Sequence, residues 1–264
     1  MKAAIIGTGN LGSAIAKGLL TDANLQSLYL TKRNTKGIEA FKQYTPVVLS
    51  NNNRNAVSNA EVLIFALQPR HLEAVLEEVK DLLTPQHIII SVITGFAIKK
   101  IEEIIGNDKT IIRTMPNTAI SVGKSMTCIC ANQAGKSQIS LVENIFNRLG
   151  ATIEIPEEQM QAATVICASG IAFWMRLIRA TTQGAIQLGF ESEQALKMSM
   201  QTALGAASLL VESGNHPEEE IDRVTTPGGC TIEGLNEMEH RGMSSSLIKG
   251  LVASYEKINQ ITVK

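Results

Sequence analysis

The stretch Lys2-Ala3-Ala4-Ile5-Ile6-Gly7-Thr8-Gly9-Asn10-Leu11-Gly12 decides how this chain is read. Residues 2–6 form an apolar run, and Leu11, Ile15 and Leu19 then recur at helical spacing. The order is strand, glycine turn, helix. Each glycine has its own task. Gly7 permits the tight turn, Gly9 lets the backbone approach a pyrophosphate, and Gly12 lets the helix lie close to the strand. A diphosphate would rest on the free N–H groups at the helix start, where the dipole is positive. The turn points to dinucleotide binding. The competing reading is a glycine-rich turn in an unrelated α/β domain.

Outward from this turn the segments alternate. Strand-like runs are expected at 27–31, 47–49, 61–67, 87–93 and 110–113, and helices at 36–44, from Pro69 to Val79 and at 98–105. Unalternating apolar strands between helices argue for a parallel sheet covered on both faces. Two further strands, 125–131 and 151–155, flank a helix at 137–149 and extend the same sheet. After Pro156 no strand-like run follows. Helices are expected at 157–168, at 171–188 after a break at Ser169 or Gly170, at 191–213, from Pro217, at 231–240 and from 244 onward. The fold class is therefore α/β: a Rossmann-type, mostly parallel sheet domain over 1–156, followed by an all-α domain over 157–264. The segment 195–210 is apolar nearly all round, so it must be buried nearly all round. A helical domain of this size has limited room for that. The second domain is thus read as a dimerisation unit. A central helix in a monomeric bundle is the alternative.

Ligands of such sheets sit at the carboxyl ends of the strands. After the second strand comes Thr31-Lys32-Arg33-Asn34, with no Asp or Glu to accept from a ribose 2′-hydroxyl. A lysine and an arginine there favour a 2′-phosphate, hence NADP over NAD; a solvated turn is the plainer reading. Ala66-Leu67-Gln68-Pro69, Thr94-Gly95 and Thr114-Met115-Pro116-Asn117 follow later strands and are candidate walls of a nicotinamide pocket, or ordinary strand-to-helix connections. In the helical half, Thr225-Thr226-Pro227-Gly228-Gly229-Cys230-Thr231 places two glycines before a helix, a setting for an anion such as an amino-acid carboxylate. The competing reading is a helix stop followed by an N-cap.

Composition narrows the classes. Of 264 residues, 44% are hydrophobic and 19% charged, and the net charge is −1, so no basic face for nucleic acid is implied. The apolar runs read as too short to cross a bilayer, and Lys17 interrupts the stretch after the glycine turn, unlike a signal peptide. Cysteines at 128, 130, 167 and 230 and histidines at 71, 87, 216 and 240 show no metal-ligand spacing. A reduced, cytoplasmic setting is expected, with no metal, membrane or nucleic-acid partner.

These motifs together resemble the pyrroline-5-carboxylate reductase family over nearly the whole chain. Gly7 to Gly12 is similar to its GxGNMG turn, with Leu11 for the methionine. Residues 66–69 resemble its AVKP, with Gln68 for the lysine. Met115-Pro116-Asn117 matches its MPN, and 224–232 its VTSPGGTTI. The resemblance implies hydride transfer from NADPH to the imine carbon of 1-pyrroline-5-carboxylate, giving L-proline. It implies that Gly7, Thr8, Gly9, Asn10, Leu11, Gly12, Arg33, Asn53, Ala66, Leu67, Gln68, Pro69, Ile93, Thr94 and Gly95 hold the dinucleotide. Met115, Asn117, Thr226, Gly228, Gly229 and Thr231 would hold the substrate, its carboxylate on the Gly228-Gly229 backbone, with the Thr231 hydroxyl near the ring nitrogen. It further implies a homodimer or a homo-oligomer of dimers, with an active site that needs the dimer. Hydride addition to a protonated C=N asks chiefly for near-attack positioning, worth about 7–11 kcal/mol. The chain departs from the family's SGSGPAY, which here reads Cys167-Ala168-Ser169-Gly170-Ile171-Ala172-Phe173.

Two other functions are weighed against this one. A β-hydroxyacid dehydrogenase would need a lysine on the long helix of the second domain, and 170–188 carries only Arg176 and Arg179. A catalytically weak NADP-binding sensor or scaffold is suggested by Gln68 and Ile171, and loss of NADPH absorbance with pyrroline-5-carboxylate discriminates it.

Overall fold

The computed structural model describes residues 1–262, which fall into two compact units. One comprises Met1–Ser169 with the C-terminal stretch from Tyr255, and the other is Gly170–Ser254. The division lies after the expected boundary at 156, because the helical turns up to Ser169 pack with the sheet.

The first unit is an eight-stranded sheet in the order β3-β2-β1-β4-β5-β6-β7-β8. The strands are β1 (Lys2–Ile6), β2 (Ser27–Thr31), β3 (Val47–Ser50), β4 (Val62–Phe65), β5 (Ile88–Ser91), β6 (Thr110–Met115), β7 (Ser125–Ala131) and β8 (Gly150–Glu154). All neighbouring pairs are parallel except β6 and β7, which run antiparallel with Arg113 opposite Cys130. Alternate residues feed two separate cores. Ile5, Leu30, Ile64 and Ile112 pack on one face with Ile15, Val142 and Phe146. Ile6, Phe65, Ile89 and Ile111 pack on the other with Leu72, Leu76 and Ile101. Burial on both faces is why these strands read as continuous apolar runs.

The covering helices are α1 (Asn10–Leu19), α2 (Asn53–Ser58), α3 (Pro69–Val79), α4 (Ile98–Ile105), α5 (Ile139–Phe146) and α6 (Met160–Ala163). Helix α2 has no counterpart in the sequence reading, and Thr35–Gln43 forms 3-10 turns where an α-helix was expected.

The expected break at Ser169 or Gly170 does not occur. Thr164–Ser169 forms π-helical turns that run straight into α7 (Gly170–Gln187). With isoleucine rather than proline at 171, no backbone donor is missing there. The resulting run 157–187 is 31 residues long and, by length and composition, apolar enough to cross a membrane, which corrects the reading that no segment reaches bilayer length. Its N-terminal end is tied into the α/β unit, however. The carboxylate of Glu157 pairs with Arg113 on β6 at 2.6 Å and accepts the N–H of Ile98 at the head of α4 at 2.7 Å.

The second unit contains α7, α8 (Ser192–Ser213), α9 (Pro217–Val224), α10 (Cys230–His240) and the first part of α11 (Met243–Thr262). Helices α7 and α8 pack as a pair, burying Thr182, Ala195 and Ser199. Much of the remaining apolar surface is left open: Trp174 is 65% exposed, Leu204 58% and Val211 84%. Large apolar side chains exposed together on one pair of helices are a feature of contact faces.

Arg113 is nearly buried, and its Nε has no partner among the described residues, so the guanidinium depends on Glu157. Glu157→Ala is expected to lower unfolding stability by about 3 kcal/mol, because it strands a buried charge. The double variant Arg113→Met, Glu157→Leu should recover most of that loss in the same denaturant titration.

Candidate active site

The glycine turn is built by β2 as much as by its own residues. Thr31 closes β2, and its carbonyl accepts the N–H groups of Gly7 and Thr8 at 3.2 and 2.8 Å. Gly7 has φ of +97°, a conformation that favours glycine. A Cβ on Gly12 would lie 2.5 Å from the Gly7 carbonyl oxygen, so only hydrogen fits between α1 and the turn. A Cβ on Gly9, by contrast, would meet nothing within 4 Å. Gly9 caps α1 without any side-chain acceptor, and the helix start faces open space with its N–H groups unclaimed by a cap.

That space is a cleft of about 600 Å³. Of the expected dinucleotide residues, Gly7, Thr8, Gly9, Arg33, Asn53, Ala66, Leu67 and Gln68 line it. Arg33 is exposed and makes no hydrogen bond or ion pair among the described residues, so its charge is available. The Asn53 amide donates to Glu78 at 3.1 Å. Asn10 and Leu11 line a neighbouring cleft of about 410 Å³ together with Pro116, Asn117 and Ala168. Gly12 is buried under the turn, Pro69 starts α3, and Ile93 is buried in the core. Thr94 donates to the Met115 sulfur at 3.6 Å, and Gly95 has φ of +77°.

The sequence reading missed the stripe that α3 presents to the larger cleft. His71, Ala74, Val75 and Glu78 line it. They stand at i, i+3, i+4 and i+7, while Leu72, Leu76 and Val79 bury the opposite face. The helical period was visible in the chain; the second face it leaves toward the cleft, with the polar His71 and Glu78 at its two ends, was the unused signal.

Two expected substrate residues behave differently from one another. Met115 is 4% exposed and packs within the core beneath the site. Asn117 lines the smaller cleft, but both ends of its amide are engaged. Its Oδ1 accepts from Ala119 N–H at 2.9 Å, and its Nδ2 donates to the Cys167 carbonyl at 3.0 Å. Asn117 thus joins the β6 end to the π-helical turns.

In the second unit, Thr226-Pro227-Gly228-Gly229 is a tight turn, with Gly228 at φ +68° and the Gly229 N–H donating to the Thr226 carbonyl at 2.9 Å. Proline and then a left-handed glycine at the two centre positions are the residues a type II turn requires. The Gly229 N–H is spent on the turn itself, so the two glycines do not both offer free donors. The opening lies one step further on. Gly229 caps α10 with no side-chain acceptor, leaving the N–H groups at the head of α10 unclaimed by a cap, with Glu233 the one acidic residue in that first turn. Thr231 stands in that first turn, and its hydroxyl has no hydrogen-bond partner among the described residues. The Thr225 hydroxyl is committed to the Asp222 carbonyl at 3.1 Å.

The two glycines of the first turn should separate folding from binding. Gly9→Ala is expected to keep wild-type thermal stability and lose dinucleotide affinity, read by fluorescence titration. Gly12→Ala should lower stability as well, because α1 must shift away from Gly7.

Comparison with known proteins agrees with both halves. Residues 157–261 match a family model described as pyrroline-5-carboxylate reductase dimerisation, and residues 2–95 one described as NADP oxidoreductase, coenzyme F420-dependent. Pyrroline-5-carboxylate reductase 1 of Dictyostelium discoideum is 45% identical over 96% of this chain, which spans 48% of that relative's length. Pyrroline-5-carboxylate reductase 2 of the same organism is 41% identical, covering 96% of this chain and 91% of the relative. A crystal structure of pyrroline carboxylate reductase from Plasmodium falciparum, with NADP bound, is 25% identical, covers 99% of this chain and 98% of that one, and superposes with a TM-score of 0.87. The helical second unit is matched by the family's dimerisation model, and the chain belongs to the pyrroline-5-carboxylate reductase family of oxidoreductases.

Proposed function

We propose that this chain reduces 1-pyrroline-5-carboxylate to L-proline, the closing step of proline synthesis, with NADPH preferred over NADH. Bound NADPH supplies the hydride, and the imine nitrogen takes the balancing proton. The residues fit such a cofactor. Gly9 leaves the head of α1 open, as a pyrophosphate requires, and Arg33 offers an unpaired guanidinium at the rim of the same cleft. Gln68, Ala66 and Leu67 form its floor after β4, and Asn53 bounds it from α2.

The observation that carries the reading is the uncapped head of α10 behind the Thr226–Gly229 turn. The partial positive charge of a helix start suits a carboxylate. The free Thr231 hydroxyl beside it can donate to or accept from a ring nitrogen, orienting the imine and holding its proton. Addition of hydride to an iminium carbon needs no nucleophile from the protein. The chain's contribution is position, and holding two reactants in near-attack geometry contributes about 7–11 kcal/mol.

We also assign the exposed apolar face of α7 and α8 to pairing between two copies in the cytoplasm. The dimerisation match over 157–261 and the exposed Trp174, Leu204 and Val211 support this. The pairing unit is taken as 157–264.

Arg33→Ala should raise KM for NADPH about tenfold or more, the loss expected of a charge-assisted hydrogen bond, and leave KM for NADH nearly unchanged. Thr231→Val should lower kcat about 10–100-fold with little change in KM for NADPH. Both are read from loss of nicotinamide absorbance with racemic pyrroline-5-carboxylate. Unchanged kcat in Thr231→Val would remove that residue from the mechanism.

A further inference from the structure

The chain's four cysteines occupy three different settings, and the reaction proposed above uses none of them. Cys128 on β7 is buried, with its sulfur 3.8 Å from that of Cys167 in the π-helical turns. Cys167 is only half-buried, unlike Cys128. Cys130, two residues along the same strand face, is buried, and Cys230 is exposed. Both members of the close pair lie in the first unit, on segments 39 residues apart in sequence.

We propose that Cys128 and Cys167 form a reversible modification site: a peroxide oxidises them to an internal disulfide. The two sulfurs already touch. Bonding brings them from 3.8 Å to about 2.05 Å, a closure of less than 2 Å between atoms already in contact. The chemistry balances in two steps. The Cys167 thiolate attacks one oxygen of hydrogen peroxide, the O–O bond breaks, and hydroxide leaves and is protonated to water. Cys167 is then a sulfenic acid. The Cys128 sulfur attacks it, loses its proton, and displaces the hydroxyl as a second water. The two thiols have lost two electrons and two protons, and the peroxide has gained them. A small dithiol reductant reverses the bond by exchange.

The surroundings make Cys167 the attacking thiol. The hydrogen bond from the Cys128 thiol holds Cys167 down at about 7, while Cys128 is raised by that same bond and by burial. Burial pushes Cys130 up to about 12, which leaves it as an unreactive neighbour. A resolving thiol beside a half-buried thiolate also limits further oxidation, since the sulfenic acid is captured before a second peroxide arrives. The bond would form where Ala168, next to Cys167, lines the cleft shared with Asn10 and Asn117.

The test is dilute hydrogen peroxide on the full-length, natively assembled protein, followed by removal of the peroxide, alkylation of all free thiols under denaturing conditions, intact-mass measurement and peptide mapping. The expected result is the loss of two hydrogen masses, a Cys128–Cys167 linked peptide, Cys130 and Cys230 still alkylated, and full reversal by dithiothreitol. In Cys128→Ser, Cys167 should instead gain oxygen. In Cys167→Ser, Cys128 should remain a thiol. Circular dichroism confirms that both variants are folded, and the wild-type map stands without them. Oxidation confined to Cys230, a linked peptide involving Cys130, or sulfinic acid at Cys167 with Cys128 still free would each overturn the proposal. None of these outcomes depends on which substrate the enzyme reduces.

Discussion

The structure depends on a gap at Gly12 that is filled by one hydrogen atom. A methyl there would stand 2.5 Å from the Gly7 carbonyl oxygen, so α1 lies against its own turn as closely as backbone allows. The Thr31 carbonyl holds the other side of the turn through two N–H groups. Together these contacts place the head of α1 over the ends of β1 and β2. The cleft, its open Gly9 and its unpaired Arg33 follow from that placement. A sheet that fed helices back at a different angle would have the same residues and no site.

Much of the first unit was legible because its strands are buried on both sides. Runs such as Ile88–Ser91 carry no polar alternation, which only a sheet covered on both faces explains. The direction of β7 was not taken from the chain, although a hint was present. The segment between Met115 and Ser125 is too short for a parallel crossover, which takes a dozen residues or more. Helix α2 was missed for a different reason: six residues with only Ala56 and Val57 buried show too little of a period to be recognised. The join at Ser169–Gly170 misled through its glycine. Without a proline behind it, a Gly costs a helix about 1 kcal/mol and does not stop it.

The site was legible where backbone shape demands particular residues and obscure where side chains decide. Gly7, Gly9, Gly12 and the Pro227-Gly228 pair announce their conformations. The α3 stripe does not, since His71 and Glu78 are ordinary surface residues until the opposite face of the helix is known to be buried. Asn117 is a different case. It lies beside the site, yet its amide is occupied in joining β6 to the π-helical turns. A residue in a motif can be there to hold another segment rather than a ligand, and only the hydrogen-bond partners distinguish the two.

The Thr226–Gly229 turn is closed by its own backbone hydrogen bond before any ligand arrives. Proline at one centre position and a left-handed glycine at the next leave it little freedom to lose. A carboxylate bound at the head of α10, as proposed, would meet a turn already shaped, with the entropy of ordering that loop lost during folding. Weak, small metabolites can be held by such a rigid seat, where a floppy one would consume the few kilocalories their handful of atoms can offer.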